Sequence, residues 1–196
     1  MNHVLSHNWL YDIILSRTQV INDALDDCQS IISANRNAVL SESDFERLLS
    51  TCIAKAINDD SRNPHDFSVH TQVSHYFDEE GKTDVDRRVD ILLLKESELA
   101  PYNNHKRFKY SGESIAFELK YLHETDSVSK VKCDFCKWDD LKSESSLYVI
   151  VLIDTRNGED YSKKEEIIRL MYKNQIGDND NSGQNQLFYR VLKKEI

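Results

Sequence analysis

The chain has 196 residues, 30% of them charged and 39% hydrophobic, with five Gly and two Pro; that balance supports one ordinary core and argues against disordered and fibrous classes. Its 25 Lys and Arg stand against 34 Asp and Glu, a net charge of −9, which argues against a protein that simply coats nucleic acid. No apolar run approaches the roughly 20 residues of a membrane span. Met1 to Trp9 also lacks the basic start and apolar core of a secretory signal, so no membrane and a cytoplasmic location are expected.

From Trp9 to about Asn35, Leu10, Ile13, Ile14, Val20, Ile21, Ala24, Leu25, Cys28, Ile31 and Ile32 follow the spacing of one long amphipathic helix. Residues 1–40 are therefore expected to form an N-terminal helical extension to an α/β core of residues 41–196. A second helix is predicted from Ser41 or Ser43 through Ile57, with Ser43-x-x-Glu46 as a capping box. After Asn63-Pro64, Phe67, Val69, Thr71 and Val73 alternate with polar residues as in a strand. Asp78 to Lys82 makes a turn, Val89 to Leu94 a second strand and Ser114 to Leu122 a third. Val131, Phe135, Trp138 and Leu141 fit a helix over Ser129 to Leu141, and Leu147 to Ile153 is the strongest buried-strand run. A further helix is expected from about Ser162 to Gln175, a polar loop follows, and the closing segment from Leu187 fits either a strand or a short helix.

This order predicts an α/β fold with a central mixed sheet of four to five strands flanked by helices and preceded by a long amphipathic helix. The first three strands would form an antiparallel meander, with the fourth, reached through a helix, parallel to one of them.

Four cysteines do not make a disulfide framework in a chain of this size, and Cys133-x-x-Cys136 supplies only half of a zinc site. His65, His70 and His75 recur at intervals of five, which alternates faces along a strand and cannot gather them around one metal. The chemistry-bearing pattern lies elsewhere. Asp90 interrupts the apolar run Val89 to Leu94, and a buried carboxylate needs a partner. On the third strand Glu118 and Lys120 share one face, as they would on any amphipathic strand with a wet side or in a catalytic site. Adjacent strands bring Asp90 and Glu118 close, and a divalent cation would relieve their repulsion. Asp90, Glu118 and the backbone carbonyl of Leu119, completed by waters and a substrate phosphate, suit the hard coordination of Mg²⁺, with Mn²⁺ able to replace it. Lys120 would then orient the attacking water or offset developing charge.

The element order, the isolated Asp90 and the Glu118-Leu119-Lys120 motif resemble the PD-(D/E)XK, or restriction-endonuclease-like, nuclease superfamily over roughly Ser41 to Ile153. The resemblance implies an αβββαβ core and a catalytic and metal-binding set of Asp90, Glu118 and Lys120. It also implies an acid contributed by the preceding helix, Glu46, and a polar residue from the later helix, for which Lys130, Lys137 and Asp134 are candidates. The residue before Asp90 is Val89 rather than Pro. The implied activity is Mg²⁺-dependent hydrolysis of phosphodiester bonds in nucleic acid, as a DNA endonuclease in restriction, phage defence or mobile-element biology. The alternative is a catalytically inactive member of the fold that binds protein or nucleic acid. Lys106, Arg107 and Lys109, interleaved with Phe108 and Tyr110, offer a local contact for nucleic acid, or else a solvated hairpin loop; Lys130 and Lys137 would extend the basic surface. A homodimer through the N-terminal helix would supply two active sites for a duplex, and the acidic surface leaves room for a protein partner that delivers specificity.

Overall fold

The computed structural model describes residues 7–59, 67–75, 87–95, 99–102, 107–110, 114–141, 145–155, 157–177 and 185–194, without the side chains of 7–17, 73–75, 87–88, 95, 99–102 and 107–110. Helices α1 (His7–Ala34) and α2 (Glu42–Asp59) lead into strands β1 (Phe67–His75) and β2 (Arg87–Lys95). A short hairpin of β3 (Leu99–Tyr102) and β4 (Arg107–Tyr110) precedes β5 (Ser114–His123). A 3-10 turn (Val128–Val131), α3 (Lys132–Cys136) and α4 (Trp138–Leu141) connect to β6 (Ser145–Asp154), then α5 (Gly158–Ile176) and β7 (Leu187–Lys194).

The main sheet has the order β1-β2-β5-β6-β7. Its first three strands are antiparallel neighbours, and β6 and β7 join in parallel. The mixed α/β sheet, expected with four to five strands, is thus present with five, and the closing segment is a strand. Because successive side chains on a strand point to opposite faces, each central strand serves two cores. Ile91, Leu93, Phe117, Leu119, Ile150 and Leu152 pack under α1 and α2. Leu92, Leu94, Ala116, Val149, Val151 and Ile153 pack on the opposite face with Val131, Phe135, Leu141 and Ile168.

In the described part of the α1 stripe, Ile21, Leu25, Cys28 and Ile32 are buried beside Phe45, Leu49 and Ile53 of α2. Each fully buried Leu or Ile contributes about 1.5–3 kcal/mol. Gln29 ties α1 to the sheet edge: its amide donates to the Lys193 carbonyl and accepts the Lys193 N–H, both at 2.8 Å. It thereby supplies the pairing that an edge strand otherwise lacks.

Two local expectations are corrected. The helix expected over Ser129 to Leu141 is a 3-10 turn and two short helices. Val128, Val131 and Phe135 share one helical face, but six further residues at 100° each would turn Leu141 away from the core, so the chain re-phases after Phe135 to bury it. The cap of α2 is formed by Ser41, whose hydroxyl accepts the Asp44 N–H at 3.2 Å, two residues before the expected Ser43–Glu46 pair. The segment around Arg107, for which a hairpin is one of the two readings, belongs to a two-stranded hairpin outside the main sheet. Among the described residues no helix is long and apolar enough to cross a membrane.

Candidate functional site

The pairing of β2 with β5 ends at Ile91 opposite Phe117. One step further, Asp90 and Glu118 would face each other, and there the strands part. The Asp90 Oδ2 instead accepts the Leu119 N–H at 2.7 Å, bridging the gap with a side chain where a ladder bond would have been. On the other side of β2, pairing with β1 is interrupted at the same level: Thr71 opposes Ile91 and Val73 opposes Val89, with no pair between Gln72 and Asp90. Gln72 has a φ of 56°, a left-handed conformation that costs a non-glycine residue about 1–3 kcal/mol. That turn aims its amide at the site, where Nε2 donates to Glu46 Oε2 at 2.6 Å and reaches Asp90 Oδ1 at 3.5 Å.

Glu118 is 2% exposed. Lys137, at the junction of α3 and α4, pairs with its Oε2 at 2.6 Å, while its Oε1 has no hydrogen-bond partner. Burial, reinforced by the charges of Asp90 and Asp134 and only partly opposed by Lys137, pushes its carboxyl up to about 8. Lys120, two residues on, pairs with Glu42 of α2 at 3.3 Å. Burial works against the Lys120 ammonium, but Asp134, Glu42 and Asp90 outweigh it and hold its pKa above the usual lysine value. Glu42 also accepts the Tyr121 N–H at 3.1 Å, which fixes the start of α2 against β5. Asp134 of α3 is buried, its Oδ2 lacks a partner, and burial pushes its carboxyl up to about 6 against the pull of Lys120 and Lys137.

The structure thus gathers Glu46, Asp90, Glu118, Lys120 and Lys137 of the sequence-derived candidates around the point where β2 and β5 diverge. Leu119 contributes its N–H to Asp90, and its side chain lies on the opposite, α1/α2 face. Lys130 is not brought in; it pairs with Asp126 one turn earlier. Arg107 and Lys109 lie on β4 with side chains outside the described residues, and Lys106 lies outside them altogether. Cys133 and Cys136 are exposed free thiols. Of the expected histidines, His70 bonds the Ser68 hydroxyl at 2.7 Å, while His65 and the side chain of His75 lie outside the described residues.

Sequence reasoning missed Glu42 and Gln72. Glu42 precedes Glu46 by one helical turn, so the i, i+4 pair of acids on α2 was a readable signal. Gln72 carried none, because its role depends on a local backbone reversal. Among the described residues no three His, Cys, Asp or Glu side chains are gathered closely enough to hold a metal ion by themselves. The donor set nevertheless suits a hard cation: among the described residues Glu42, Glu46, Asp90, Glu118 and Asp134 lie around Lys120 and Lys137, and two buried carboxylate oxygens have no partner. Comparison with known proteins finds no match among family models, characterised proteins or solved structures.

Proposed function

We propose that the chain is a divalent-metal-dependent nuclease of the restriction-endonuclease-like type, cutting phosphodiester bonds in nucleic acid, with DNA as its substrate. The observation that carries this reading is the parting of β2 and β5 at Asp90 and Glu118, with Lys120 beside them. A sheet gains nothing in stability by opening its ladder to bury a carboxylate, but a catalytic centre needs such an opening.

Asp90, Glu118 and the Leu119 carbonyl would hold Mg²⁺, or Mn²⁺ in its place. When bound, that ion neutralises phosphate charge and lowers the pKa of an attacking water. The protein's own groups do the rest. The Leu119 N–H fixes one Asp90 oxygen, and Gln72 ties Asp90 to Glu46 on α2. Lys120, kept protonated by the acids around it, offsets negative charge that builds on a phosphoryl group and orients water beside it. Lys137, 34% exposed at its side chain, can swing between Glu118 and a backbone phosphate. Arg107, Lys109 and Lys106 would extend the contact along a strand of nucleic acid, and a protein partner would supply specificity that the acidic surface does not. A homodimer through α1 would have to use surface other than the buried Ile21, Leu25, Cys28 and Ile32.

The second reading, an inactive nuclease-fold protein that binds protein or nucleic acid, is favoured by one observation: Lys137 already neutralises Glu118. Cleavage of supercoiled plasmid and of labelled single strands by wild type and Lys120→Ala, with Mg²⁺, with Mn²⁺ and with EDTA, separates the two. Metal-dependent cutting that disappears in the variant supports the nuclease. No cutting by wild type under either metal leaves the binding module.

A further inference from the structure

Among the described residues, only two buried side-chain nitrogen or oxygen atoms lack any hydrogen-bond partner, and both belong to this cluster: Oε1 of Glu118 and Oδ2 of Asp134. Glu118 is 2% and Asp134 7% exposed. Leaving one buried polar atom unpaired costs about 1–3 kcal/mol, and more for a charged group. Two such costs at one place, with the other described buried side chains satisfied, mark the position of a missing positive or donating group rather than a general looseness of packing.

The surroundings narrow its identity. Lys137 already engages the other oxygen of Glu118, and Lys120 is drawn toward Glu42. Asp134 is carried by α3, which re-phases the connection between β5 and β6 just where it passes over Glu118. The two acids, one on the strand and one on the helix beside it, lie close enough for the charge of Asp134 to bear on the Glu118 carboxyl. A hard divalent ion, which takes oxygen donors and tolerates waters in its remaining positions, matches both the donor type and the charge deficit.

We propose that Asp134 is a cation ligand: its Oδ2 and the Glu118 Oε1 form the helix-side wall of a divalent-cation site, and Lys137 competes with that cation for Glu118. This rests on the nuclease reading only in that Glu118 is shared with it. The competition follows from geometry, since an ammonium 2.6 Å from Oε2 occupies the space beside the same carboxylate that the ion must enter.

The test is Mn²⁺ binding by titration calorimetry and by loss of the free-ion spin-resonance signal, at one fixed pH. It compares wild type with Asp134→Asn, Asp90→Asn and Lys137→Met, each first checked for a wild-type circular-dichroism spectrum, with Asp134→Ser as the substitute if the amide disturbs folding. Loss of at least about tenfold in affinity is expected for Asp134→Asn, as for other supporting groups of metal sites, with tighter binding in Lys137→Met. If Asp134→Asn binds as wild type while Asp90→Asn is impaired, this inference falls and the nuclease site stands. If Asp134→Asn is impaired and Asp90→Asn is not, the cation site stands and the Asp90 ligand set falls. If neither wild type nor Lys137→Met binds Mn²⁺ at millimolar concentration, both fall, and a shared proton or water satisfies the two oxygens.

Discussion

Lys194 near the end of β7 and Glu118 midway along β5 are both buried charges, yet their surroundings treat them in opposite ways. Lys194 uses all three of its donors, on the Val39 carbonyl at 2.8 Å, the Tyr121 hydroxyl at 2.8 Å and Asp154 at 2.9 Å. Tyr121 donates to the same Asp154 oxygen at 2.6 Å. Burial disfavours the Asp154 charge, but these bonds outweigh it and hold the carboxyl below its usual range. Nearby, Lys164 is equally settled, donating to the His123 and Glu124 carbonyls at 2.9 and 2.7 Å. Glu118, three residues before Tyr121 on the same strand, keeps one oxygen without a partner and is pushed up to about 8 by burial and neighbouring acids. A closed polar network staples the C-terminal ends of the parallel strands, whereas an incomplete one at the strand opening keeps the capacity to bind something.

The contrast can be broken most forcefully at Lys194. Lys194→Met leaves the part-exposed Asp154 carboxylate to Tyr121 alone and strands the buried Val39 carbonyl, so unfolding in urea should show a loss of about 3 kcal/mol. A loss below about 1 kcal/mol, the scale of an exposed pair, would mean that the cluster is not a staple. Glu118→Gln should move the other way. It removes a charge that burial opposes while keeping the side chain's shape, so stability near pH 8 should rise by about 1–3 kcal/mol as nucleic-acid cleavage is lost. A variant that cuts at the wild-type rate would remove Glu118 from the chemistry.

The pH dependence of stability sharpens the same point. The Glu118 carboxyl rises from 4.5 to about 8 on folding, and that of Asp134 from 3.8 to about 6. Between the unfolded and folded values the folded state binds more protons, so stability falls as pH rises through that window. The contribution of these groups should be fully favourable below about pH 4 and lost, by on the order of a few kcal/mol, above about pH 8. Denaturant melts from pH 4 to 9 should show that decline in wild type and a shallower one in Glu118→Gln/Asp134→Asn. A slope unchanged in the double variant would assign the decline to other groups. The smallest effect is expected at Gln72. Gln72→Gly removes the backbone strain and the bonds to Glu46 and Asp90 together, so stability should change by less than about 1 kcal/mol while cleavage slows. A large stability loss would mean that the amide bonds, not the site, justify the left-handed turn.

Much of the framework was legible because its signals are periodic. The stripe from Val20 to Ile32, the alternation at Phe67 and Val69, and the apolar runs at Ile91 to Leu94 and Leu147 to Ile153 each appear as the element expected. The parallel pairing of β5 with β6 followed from the intervening helical segment. What misled was local competition between equivalent signals. Ser41 and Ser43 both offered a cap to α2, and only the geometry of Asp44 decided between them. Leu141 fell on an acceptable helical repeat with Trp138 but not with Phe135, and burial of the larger set broke the helix.

Within the site, Asp90 stood out because a carboxylate in an apolar run violates the alternation around it, and its partner turned out to be the Leu119 N–H on the next strand. Asp134 was one of three polar candidates on its segment, and nothing in the spacing distinguished it from Lys130, which turns outward to Asp126. Most helices and the strands at Phe67, Val89, Ser114 and Leu147, the two-faced sheet and the anomaly at Asp90 were readable from the residues alone, since side-chain period and the cost of burying charge act on neighbouring residues. Only the tertiary structure decided that Gln72 reverses its backbone, that Lys137 pairs with Glu118, and that Glu118 and Asp134 each keep an unsatisfied oxygen. Those outcomes depend on desolvation and on distances between segments far apart in the chain, quantities that exist only once the layers have packed.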